Sequence, residues 1–507
     1  WTLSGTMANP SGLARWIGRW RWGLFVLLFA SLCTYDGGVA GAAQVQPRTI
    51  YHAFNQRVCD VKQNLNRIRD CGYDAVQLSP LQKSIHGDWW ARYQPVDHCQ
   101  IEGLGSKDDL RQLCEESEKM GICVIADLVF NHMAVVAFRH EWQRAQNDQG
   151  FKEELFRRLE ERFHPLKRTD FSPWKDMTGD AWDNEHRFEG WGGGEWSDLA
   201  PTETVLGRHK EHIDILVKCG VKGFRFDAAK HIRPETIKIY VQHIRKVCPD
   251  SYVYLEVLGS DEKLHAPFRG LVPTTDFKRS WRLREAIMSE KVEELPKLED
   301  DVEDVEFVRN HDTILNHDFS RTQGYHTNDP KLSLAWVYMM CQPSGTVLVF
   351  PEDEGLHQNG RHWPVQRAVR FRREMFDRKA PPAEMRYVTK EKGEEEGEPV
   401  KIERAAKLPD KILDAEELES LAGLAKREGV RSILKVKASQ LRDEERRRLN
   451  QPKEDPKKKD EKKGKKTNLV GVLRGDQGCA LINFGHAWCN AEHVERITKG
   501  KLHGKYH

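Results

Sequence analysis

The sequence has no excess of charge of either sign. Its 80 lysine and arginine residues almost balance 78 aspartate and glutamate residues, so the formal net charge is +2 over 507 residues. Proteins that mainly bind nucleic acid usually carry a strong basic bias, which is missing here. We therefore expect no nucleic-acid partner. The length allows one large domain with additional segments.

The sequence also lacks C-x-x-C pairs, so its 11 cysteines give no indication of a zinc site. Cys33 lies near the N-terminus, and the even number of cysteines that follow it suggests disulfides if the compartment is oxidising. Their spacing does not assign the pairing. The ten are Cys59, Cys71, Cys99, Cys114, Cys123, Cys219, Cys248, Cys341, Cys479 and Cys489.

The apolar run at residues 23–33 is too short to span a bilayer comfortably. Arg15, Arg19 and Arg21 precede this run, and the small residues of positions 39–43 follow it. This order is typical of a secretory signal peptide, which we place at residues 1–43. An uncleaved anchor is the alternative. We expect a secreted protein, or one in a lumenal compartment of the secretory pathway, with no stable membrane span after signal cleavage.

Strand-like and helix-like segments alternate along the next 300 or so residues. The run 122–129 is apolar on both faces, as in a buried parallel strand. The alternation predicts an α/β fold, a TIM (β/α)8 barrel. The predicted strands are 48–54, 73–80, 122–129, 221–227, 252–257, 272–277, 305–308 and 346–350, and helices are predicted at 58–71, 107–120, 206–219 and 233–247.

Three segments interrupt or follow the barrel. Residues 133–197 are rich in Trp, Asp, Arg and Gly and too long for a barrel loop, so we expect an excursion domain after strand three, between barrel parts 44–132 and 198–378. Residues 379–467 contain charge runs and are predicted to be a solvated low-complexity insertion. Residues 468–507 begin with a predicted β-hairpin and form a small, partial C-terminal β domain.

The predicted fourth strand ends in a motif that combines aromatic and charged residues. Phe224 and Phe226 share one face of this strand, and Arg225 and Asp227 share the other. On a barrel strand the aromatic pair would pack outward and the charged pair would point into the mouth. Arg225 would hold Asp227 ionised, as a nucleophile requires. The alternative is a surface ion pair that closes the strand.

Three further polar stretches follow predicted strands at their carboxyl ends. Asn131 and His132 follow strand three, Glu256 lies at the end of strand five, and His311 and Asp312 follow strand seven. Each stretch alone is a weak signal, but all of them would meet at one rim of a barrel. Together they predict a site rich in carboxylates there.

This pattern resembles the α-amylase family, glycoside hydrolase family 13, over residues 50–354. The resemblance implies that Asp227 is the nucleophile, Glu256 the general acid/base and Asp312 the third carboxylate, which orients the substrate. It further implies substrate-binding roles, which fall on Tyr93, His132, Arg225, Lys230, His231 and His311. Lys230 and His231 after the nucleophile are more typical of enzymes that act on α-1,4 bonds than on α-1,6 bonds.

The same resemblance implies a structural calcium ion. Its ligands would be Asn131, Asp198 and the backbone carbonyl of His231, an oxygen donor set that suits Ca²⁺. Trp196-Ser197 stands where the family usually has Leu-Pro before the calcium aspartate. In the chloride-dependent branch Asn310 and Arg225 would bind chloride with an arginine of strand eight. Leu348 occupies that position here, so we predict no chloride.

Retaining glycoside hydrolysis requires one carboxylate that attacks and one that donates a proton, roughly 5–5.5 Å apart. Glu256 follows the apolar and aromatic stretch 252–255 and has no arginine two residues before it, whereas Asp227 has Arg225. We therefore expect the pKa of Glu256 to be raised and that of Asp227 to be low.

The expected activity is hydrolysis of internal α-1,4 bonds of starch- or glycogen-type glucans through a covalent glycosyl–Asp227 intermediate. The first alternative is an α-glucan transglycosylase or an exo-acting enzyme that releases maltooligosaccharides. The second alternative is a glucan-binding protein of the same fold without catalytic activity. The presence of all three carboxylates, Asp227, Glu256 and Asp312, argues against the second alternative.

Overall fold

The computed structural model describes residues 46–174, 196–291, 294–299, 301–315, 330–354, 363–380, 383–388, 469–474 and 479–483. The chain divides into two compact units. The first comprises Trp1–Val388, Asn468–Phe484 and Cys489–His507, and it contains all of the described residues. The second comprises Thr389–Thr467 and Gly485–Trp488 and lies outside them, as do the predicted signal peptide and most of the predicted charged insertion.

The secondary-structure elements alternate as the sequence predicts. The strands are β1 (Thr49–Ala53), β2 (Ala75–Leu78), β3 (Gln82–Ser84), β4 (Pro95–Ile101), β5 (Cys123–Leu128), β6 (His132–Met133), β7 (Ser197–Asp198), β8 (Gly223–Phe226), β9 (Tyr252–Leu255), β10 (Val305–Glu306), β11 (Thr346–Val349), β12 (Glu384–Val388), β13 (Leu469–Leu473) and β14 (Cys479–Asn483). The helices are α1 (Val58–Cys71), α2 (Lys107–Lys119), α3 (Arg139–Ala145), α4 (Gln149–Arg162), α5 (Glu203–Lys218), α6 (Pro234–Val247), α7 (Glu262–His265), α8 (Phe277–Met288), α9 (His311–Leu315), α10 (Pro330–Met340) and α11 (Trp363–Asp377). Short 3-10 turns occur at Trp89–Tyr93, Arg168–Asp170, Ala229–His231, Ala266–Phe268 and Pro351–Glu354.

Seven parallel strands form a nearly closed barrel in the order β10-β11-β1-β2-β5-β8-β9. Residues Thr274 and Thr275 complete it at the sixth position, where they form isolated parallel bridges to Leu255 and Val305. The amide of Leu255 donates to Pro273 O at 2.9 Å, and the amide of Val305 donates to Thr274 O at 2.9 Å. The prediction of a TIM barrel with a short sixth strand is therefore confirmed.

Helix α1 shows how the sequence covers the barrel. Its buried residues Val58, Val61, Leu65 and Ile68 recur every three or four positions and form one apolar stripe. Burial of each such side chain contributes about 1.5–3 kcal/mol. Gly72 ends the helix with a left-handed backbone at φ 107°, which a glycine adopts without steric cost.

The barrel separates two apolar clusters. Ile50, Ile125, Tyr252, Tyr254 and Leu348 come from the strands and belong to a cluster whose side chains fill the barrel. The larger cluster lies between the strands and the surrounding helices, and Phe224 and Phe226 belong to it. The aromatic pair of β8 therefore packs outward, as the alternation of its residues predicts.

A third apolar cluster lies in the stretch between β5 and α5. Helices α3 and α4 contribute Trp142, Leu155 and Leu159, and Met133 of β6 joins them. Strands β6 and β7 pair antiparallel, with His132 opposite Asp198. The segment predicted as an excursion domain thus has an apolar cluster of its own. Its Trp191-Gly192-Gly193-Gly194 stretch lies outside the described residues.

The C-terminal strands form a three-stranded antiparallel sheet in the order β12-β13-β14. Strands β13 and β14 pair as the predicted hairpin, with Leu469 opposite Asn483. Strand β12 lies inside the range 379–467 that composition assigns to the insertion, so ordered structure extends beyond the composition change.

The predictions of disulfides and of no stable membrane span both concern the cellular compartment of the protein. The structure describes the side chains of eight cysteines, from Cys59 to Cys341, and none of these eight forms a disulfide. Among the helices that the structure describes, none has the length and apolar character needed to cross a membrane.

Arg372 of α11 holds the seam between the first and last barrel strands. Its guanidinium is buried and donates to the carbonyl oxygens of Arg48 at 3.1 Å and of Ser344 and Gly345 at 2.9 Å, and also to that of Gln342. Arg48 precedes β1, and the other carbonyls precede β11. One side chain thus donates to backbone carbonyl groups on both sides of this seam, including Arg48 O, which also accepts from the amide of Val347.

We predict that Arg372→Met destabilises the chain by about 3 kcal/mol, because buried carbonyl oxygens lose their donors. Arg370→Met is the matched control, since Arg370 lies on the same helix and makes an exposed bond to Asp70 O. It should cost less than about 1 kcal/mol. Urea denaturation of both variants measures the difference. Equal losses of stability in the two variants would contradict stabilisation of this seam by Arg372.

Candidate active site

The parallel register places the predicted site residues at one rim of the barrel. Asp127 of β5 lies beside Arg225 of β8, and Arg225 lies beside Tyr254 of β9. Asp227 and Glu256 each come directly after the last residue of their strand. Since the carboxyl ends of parallel strands meet at the same rim, chain segments far apart in sequence converge there.

Arg225 is the centre of this rim. Its side chain is 3% exposed, and its Nη1 donates to both carboxylate oxygens of Asp127 at 2.7 Å. The same nitrogen donates to Asp227 Oδ1 at 2.8 Å. Its Nη2 lies 3.7 Å from Glu256 Oε2. One guanidinium therefore reaches three carboxyl groups, two of which are the predicted nucleophile and general acid/base.

The backbone after Asp227 holds Glu256 in place. The amide of Ala228 donates to Glu256 Oε2 at 2.7 Å, and the amide of Ala229 donates to Glu256 O at 3.0 Å. Ala228 adopts a left-handed backbone at φ 47°, which costs about 1 kcal/mol for a residue other than glycine. This conformation couples the position of Glu256 to the turn that follows Asp227.

Burial raises the pKa of every carboxyl group at the rim. It raises the pKa of Glu256 to about 7, against the opposing effect of Arg225, and Asp227 and Asp312 raise it further as neighbouring negative charges. Burial raises the pKa of Asp312 to about 6 and that of Asp127 to about 7. The expectation for Glu256 thus agrees with the structure.

The expectation of a low pKa for Asp227 is wrong. Burial raises the pKa of Asp227, and this effect exceeds the lowering by Arg225 and His132. Arg225 is shared with Asp127, which takes two of the contacts of Nη1. Asp312 adds a negative charge that raises the pKa further. The local sequence shows Arg225 two residues away but not these competitors.

An aromatic stack forms the wall next to the carboxyl groups. The rings of His311 and Tyr93 are stacked with centroids 5.4 Å apart, and Phe54 stacks on His311 at 4.7 Å. The Tyr93 hydroxyl donates to Asp127 Oδ2 at 3.1 Å. The Nε2 atom of His132 lies 2.9 Å from Tyr93 O, and the His132 ring stacks on that of Trp196. The predicted substrate-binding residues Tyr93, His132 and His311 thus lie together.

Two buried residues of this rim are not among the predicted site residues. Asp127 connects Arg225 to Tyr93, and its signal in the sequence is a lone carboxylate in an otherwise apolar strand. His52 of β1 is 1% exposed and lies edge-on to His311 at 5.4 Å. Neither ring nitrogen of His52 has a hydrogen-bond partner in the described part of the chain. Nothing in the sequence near His52 distinguishes it from a core residue.

The predicted calcium ligands line a separate small cavity, together with Ser172 and Arg233. Asn131, Asp198 and His231 all contribute to its wall. Burial raises the pKa of Asp198 to about 8, despite hydrogen bonds from Ser172 and Asn131. The described residues contain no cluster of three or more His, Cys, Asp and Glu side chains suited to a metal.

Lys230 and His231 belong to the 3-10 turn Ala229–His231, and Lys230 is buried. Burial lowers the pKa of His231 to about 3, so its ring is neutral. This turn connects the rim to the cavity, because it follows Asp227 and ends at His231, which lines the cavity wall.

The fold and site together define a (β/α)8 barrel with an acidic cluster at the carboxyl ends of its strands. Residues 57–257 match the family model of the α-amylase catalytic domain. The α-amylase of Aeromonas hydrophila is 34% identical over 205 residues, which cover 36% of this chain and 42% of that protein. Human pancreatic α-amylase is 27% identical over 320 residues, which cover 56% of this chain and 60% of that protein.

These matches show that residues 57–257 are similar to the α-amylase catalytic domain, the resemblance that the motifs predict. The chain spans less than two thirds of the length of these curated relatives. The solved structure of α-amylase I from Eisenia fetida superposes with a TM-score of 0.52 at 19% identity, over 68% of this chain and 80% of that chain. This similarity shows the same fold.

Proposed function

We propose that the chain is a retaining glycoside hydrolase that cleaves internal α-1,4 bonds of starch- or glycogen-type glucans. The observation that carries this proposal is the contact of one guanidinium with both Asp227 and Glu256, at 2.8 and 3.7 Å. Two carboxyl groups that lie side by side support a pair in which one attacks and the other donates a proton. The glucan class is supported by the similarity of residues 57–257 to the α-amylase catalytic domain, and the Eisenia fetida protein of the same fold was solved as a complex with maltohexaose.

The reaction proceeds in two steps. Asp227 attacks the anomeric carbon while Glu256 donates its proton to the glycosidic oxygen. The glycosidic bond therefore breaks, and a glycosyl–Asp227 ester forms. Water then attacks the ester, and Glu256 accepts a proton from this water. Arg225 stabilises the ionised form of Asp227, and Asp312 orients the sugar. Tyr93, His132 and His311 form the wall on which the sugar lies.

The alternatives concern the fate of the intermediate. Transfer of the glycosyl group to a second sugar gives a transglycosylase, and release of short products from chain ends gives an exo-acting enzyme. Product analysis on amylose separates these activities from random internal cleavage. A glucan-binding protein without catalytic activity would show no product at all.

We also propose that the chain enters the secretory pathway. The support is the pattern of basic, apolar and small residues at positions 1–43, together with the substrate class. A glucan polymer outside the cell or in a lumenal compartment is then its substrate.

We predict that Asp227→Asn abolishes hydrolysis of soluble starch, with a loss of at least about 10³-fold, because the nucleophile is removed. Glu256→Gln should also be inactive on starch. On an aryl maltooligosaccharide with a good leaving group, however, Glu256→Gln should still form the glycosyl intermediate, since no proton needs to be donated. Intact-mass measurement of the trapped intermediate distinguishes the two variants.

Asp74→Asn is the matched control for these variants. Asp74 is a carboxylate at the opposite end of the barrel, where it accepts from the amides of Arg48 and Thr49. This variant should retain activity within about twofold at 25 °C, because it lies far from the rim. Turnover like that of the wild type by Asp227→Asn would end the assignment.

We predict a bell-shaped dependence of kcat/KM on pH. Activity should fall as the pH rises through about 7, because burial raises the pKa of Glu256 to about 7 and the proton donor is then lost. Activity should also fall on the acidic side as Asp227 becomes protonated, and its raised pKa places this limb above the usual range for an aspartate. Initial rates on an uncharged maltooligosaccharide measure both limbs. Full activity at pH 9 would contradict the role of Glu256.

We propose that Asn131, Asp198 and the carbonyl of His231 hold a structural Ca²⁺. They supply oxygen donors, and they line one cavity. Burial of Asp198 also favours a cation, since it raises the pKa of this carboxyl group to about 8 and a neighbouring positive charge would offset the cost of ionisation. Asn131, Asp198 and the His231 carbonyl would hold the ion, and its positive charge would keep Asp198 ionised.

We predict opposite effects of Asp198→Asn with and without calcium. A raised folded-state pKa means that Asp198 lowers the free energy of unfolding as the pH rises from about 4 to 8. In a chelator at pH 8 the variant should therefore be at least as stable as the wild type. Millimolar Ca²⁺ should raise the thermal midpoint of the wild type by several degrees and leave that of the variant unchanged.

Asp170→Asn serves as the control for the calcium measurement. Asp170 is a buried carboxylate of the same region that accepts from Lys167 N and Thr202 Oγ1 and does not line the cavity. The thermal midpoint of the Asp170→Asn variant should still rise when calcium is added. Equal calcium shifts in wild type and Asp198→Asn, measured by scanning calorimetry, would show that Asp198 is not a ligand.

A further inference from the structure

The loop that carries His311 and Asp312 has little support from the barrel sheet. Strand β10, which precedes it, contains two residues, and its ladder with β11 ends at Glu306 opposite Val347. Four residues then lead to the five-residue helix α9, which begins at His311. The position of Asp312 therefore depends on side-chain contacts made by residues 307–310.

Arg309 in this loop forms a buried ion pair with Asp353. The two side chains are 2% and 0% exposed. Arg309 Nε donates to Asp353 Oδ1 at 2.8 Å and to Oδ2 at 3.0 Å, and a terminal nitrogen also donates to Oδ1. Trp336 Nε1 donates to Asp353 Oδ2 at 2.7 Å. The planar guanidinium and the carboxylate thus hold each other in one fixed orientation.

This network connects three elements of the barrel. Arg309 lies in the loop before α9, Asp353 in the turn Pro351–Glu354 after β11, and Trp336 in α10. Trp336 is completely buried, so its indole gives the carboxylate a rigid donor. A shift of the Arg309 backbone would break several charge-assisted bonds at once.

Other contacts hold the internal shape of the loop. Asn310 N donates to Thr313 Oγ1 at 2.9 Å, and Thr313 N donates to Asn310 Oδ1 at 3.1 Å. Ser280 Oγ donates to Val308 O at 2.9 Å, which connects the loop to α8. These bonds do not involve the neighbouring turn, whereas the Arg309–Asp353 pair does.

We propose that Arg309, held by Asp353 and Trp336, is a positioning residue that sets the place of His311 and Asp312 at the rim. This role rests on the proposed function of Asp312 in glycoside hydrolysis. Arg309 acts through the backbone, because its own charge is paired with Asp353 on the buried side of the loop. The positive charge that acts on Asp312 itself is that of Arg225.

Three variants of the full chain test this role. Asp353→Asn removes the charge and keeps the size, Trp336→Phe removes the indole donor and keeps the packing, and Arg309→Lys keeps the charge but loses the two-pronged contact. A displacement of the order of 1 Å at a catalytic group costs about 10²-fold in rate. We expect kcat on a maltooligosaccharide to fall about 30- to 100-fold in Asp353→Asn and about 10-fold in Arg309→Lys and in Trp336→Phe, with KM changed less than about threefold.

Glu306→Gln is the matched control. Glu306 is completely buried in β10, three residues before Arg309, and it pairs with Arg279 Nε at 2.5 Å. Removal of this pair should lower the thermal midpoint but leave kcat within about twofold at a temperature far below unfolding. All variants are assayed at that temperature, so that a loss of folded protein does not contribute.

The outcomes separate positioning from stability. A fall of kcat in Asp353→Asn and Trp336→Phe but not in Glu306→Gln supports the proposal. A lowered thermal midpoint with unchanged kcat in all of them overturns it. If Asp353→Asn does not fold, the comparison of Arg309→Lys with Glu306→Gln decides in the same way. A wild-type chain without hydrolysis would overturn the proposed function itself, and this role with it.

Discussion

The site depends on one buried positive charge that is shared among several carboxyl groups. Arg225 contacts Asp127, Asp227 and Glu256, and a single guanidinium cannot neutralise three carboxylates in a region of low dielectric constant. At least one of them is therefore protonated near neutral pH. The geometry favours Glu256 for that proton, because Asp127 and Asp227 take the short contacts at 2.7 and 2.8 Å, whereas Glu256 lies 3.7 Å away. A protonated carboxyl group and an ionised one can thus coexist at this rim.

The barrel architecture creates this arrangement, and the local sequence only prepares it. Alternation along β8 turns Phe224 and Phe226 outward, which leaves Arg225 to point into the barrel. The parallel register then brings Asp127 beside it from a strand 98 residues earlier. The strained turn at Ala228 presents an amide to Glu256 from the other side. Each contact comes from a different chain segment, so the site forms only when the barrel is closed.

What can and cannot be predicted from the sequence follows from this difference between local sequence and contacts made by the closed barrel. The bounds of α1, the outward face of Phe226 and the order of the strands depend on local periodicity and are predictable. The direction of the Asp227 pKa is not, because it depends on burial and on Asp127 and Asp312, which lie far away in sequence. Asp127 itself is hidden within an apolar run. His52 is hidden because its contact with the rim is made through His311, which lies far away in sequence.

Ionisation of the carboxyl groups at the rim lowers the stability of the fold, whereas contacts in the remainder of the barrel raise it. Burial raises the pKa of Asp127, Glu256 and Asp312, so ionisation of these groups weakens folding as the pH rises toward neutrality. The structure must offset this cost elsewhere. Arg372 satisfies carbonyl oxygens at the opposite end, and the Arg309–Asp353 pair braces the loop of Asp312 from its buried side. The acidic rim is therefore held together by contacts that take no part in the chemistry. Loss of the Arg372 contacts should thus weaken the seam between β1 and β11, and loss of the Arg309–Asp353 pair should displace Asp312.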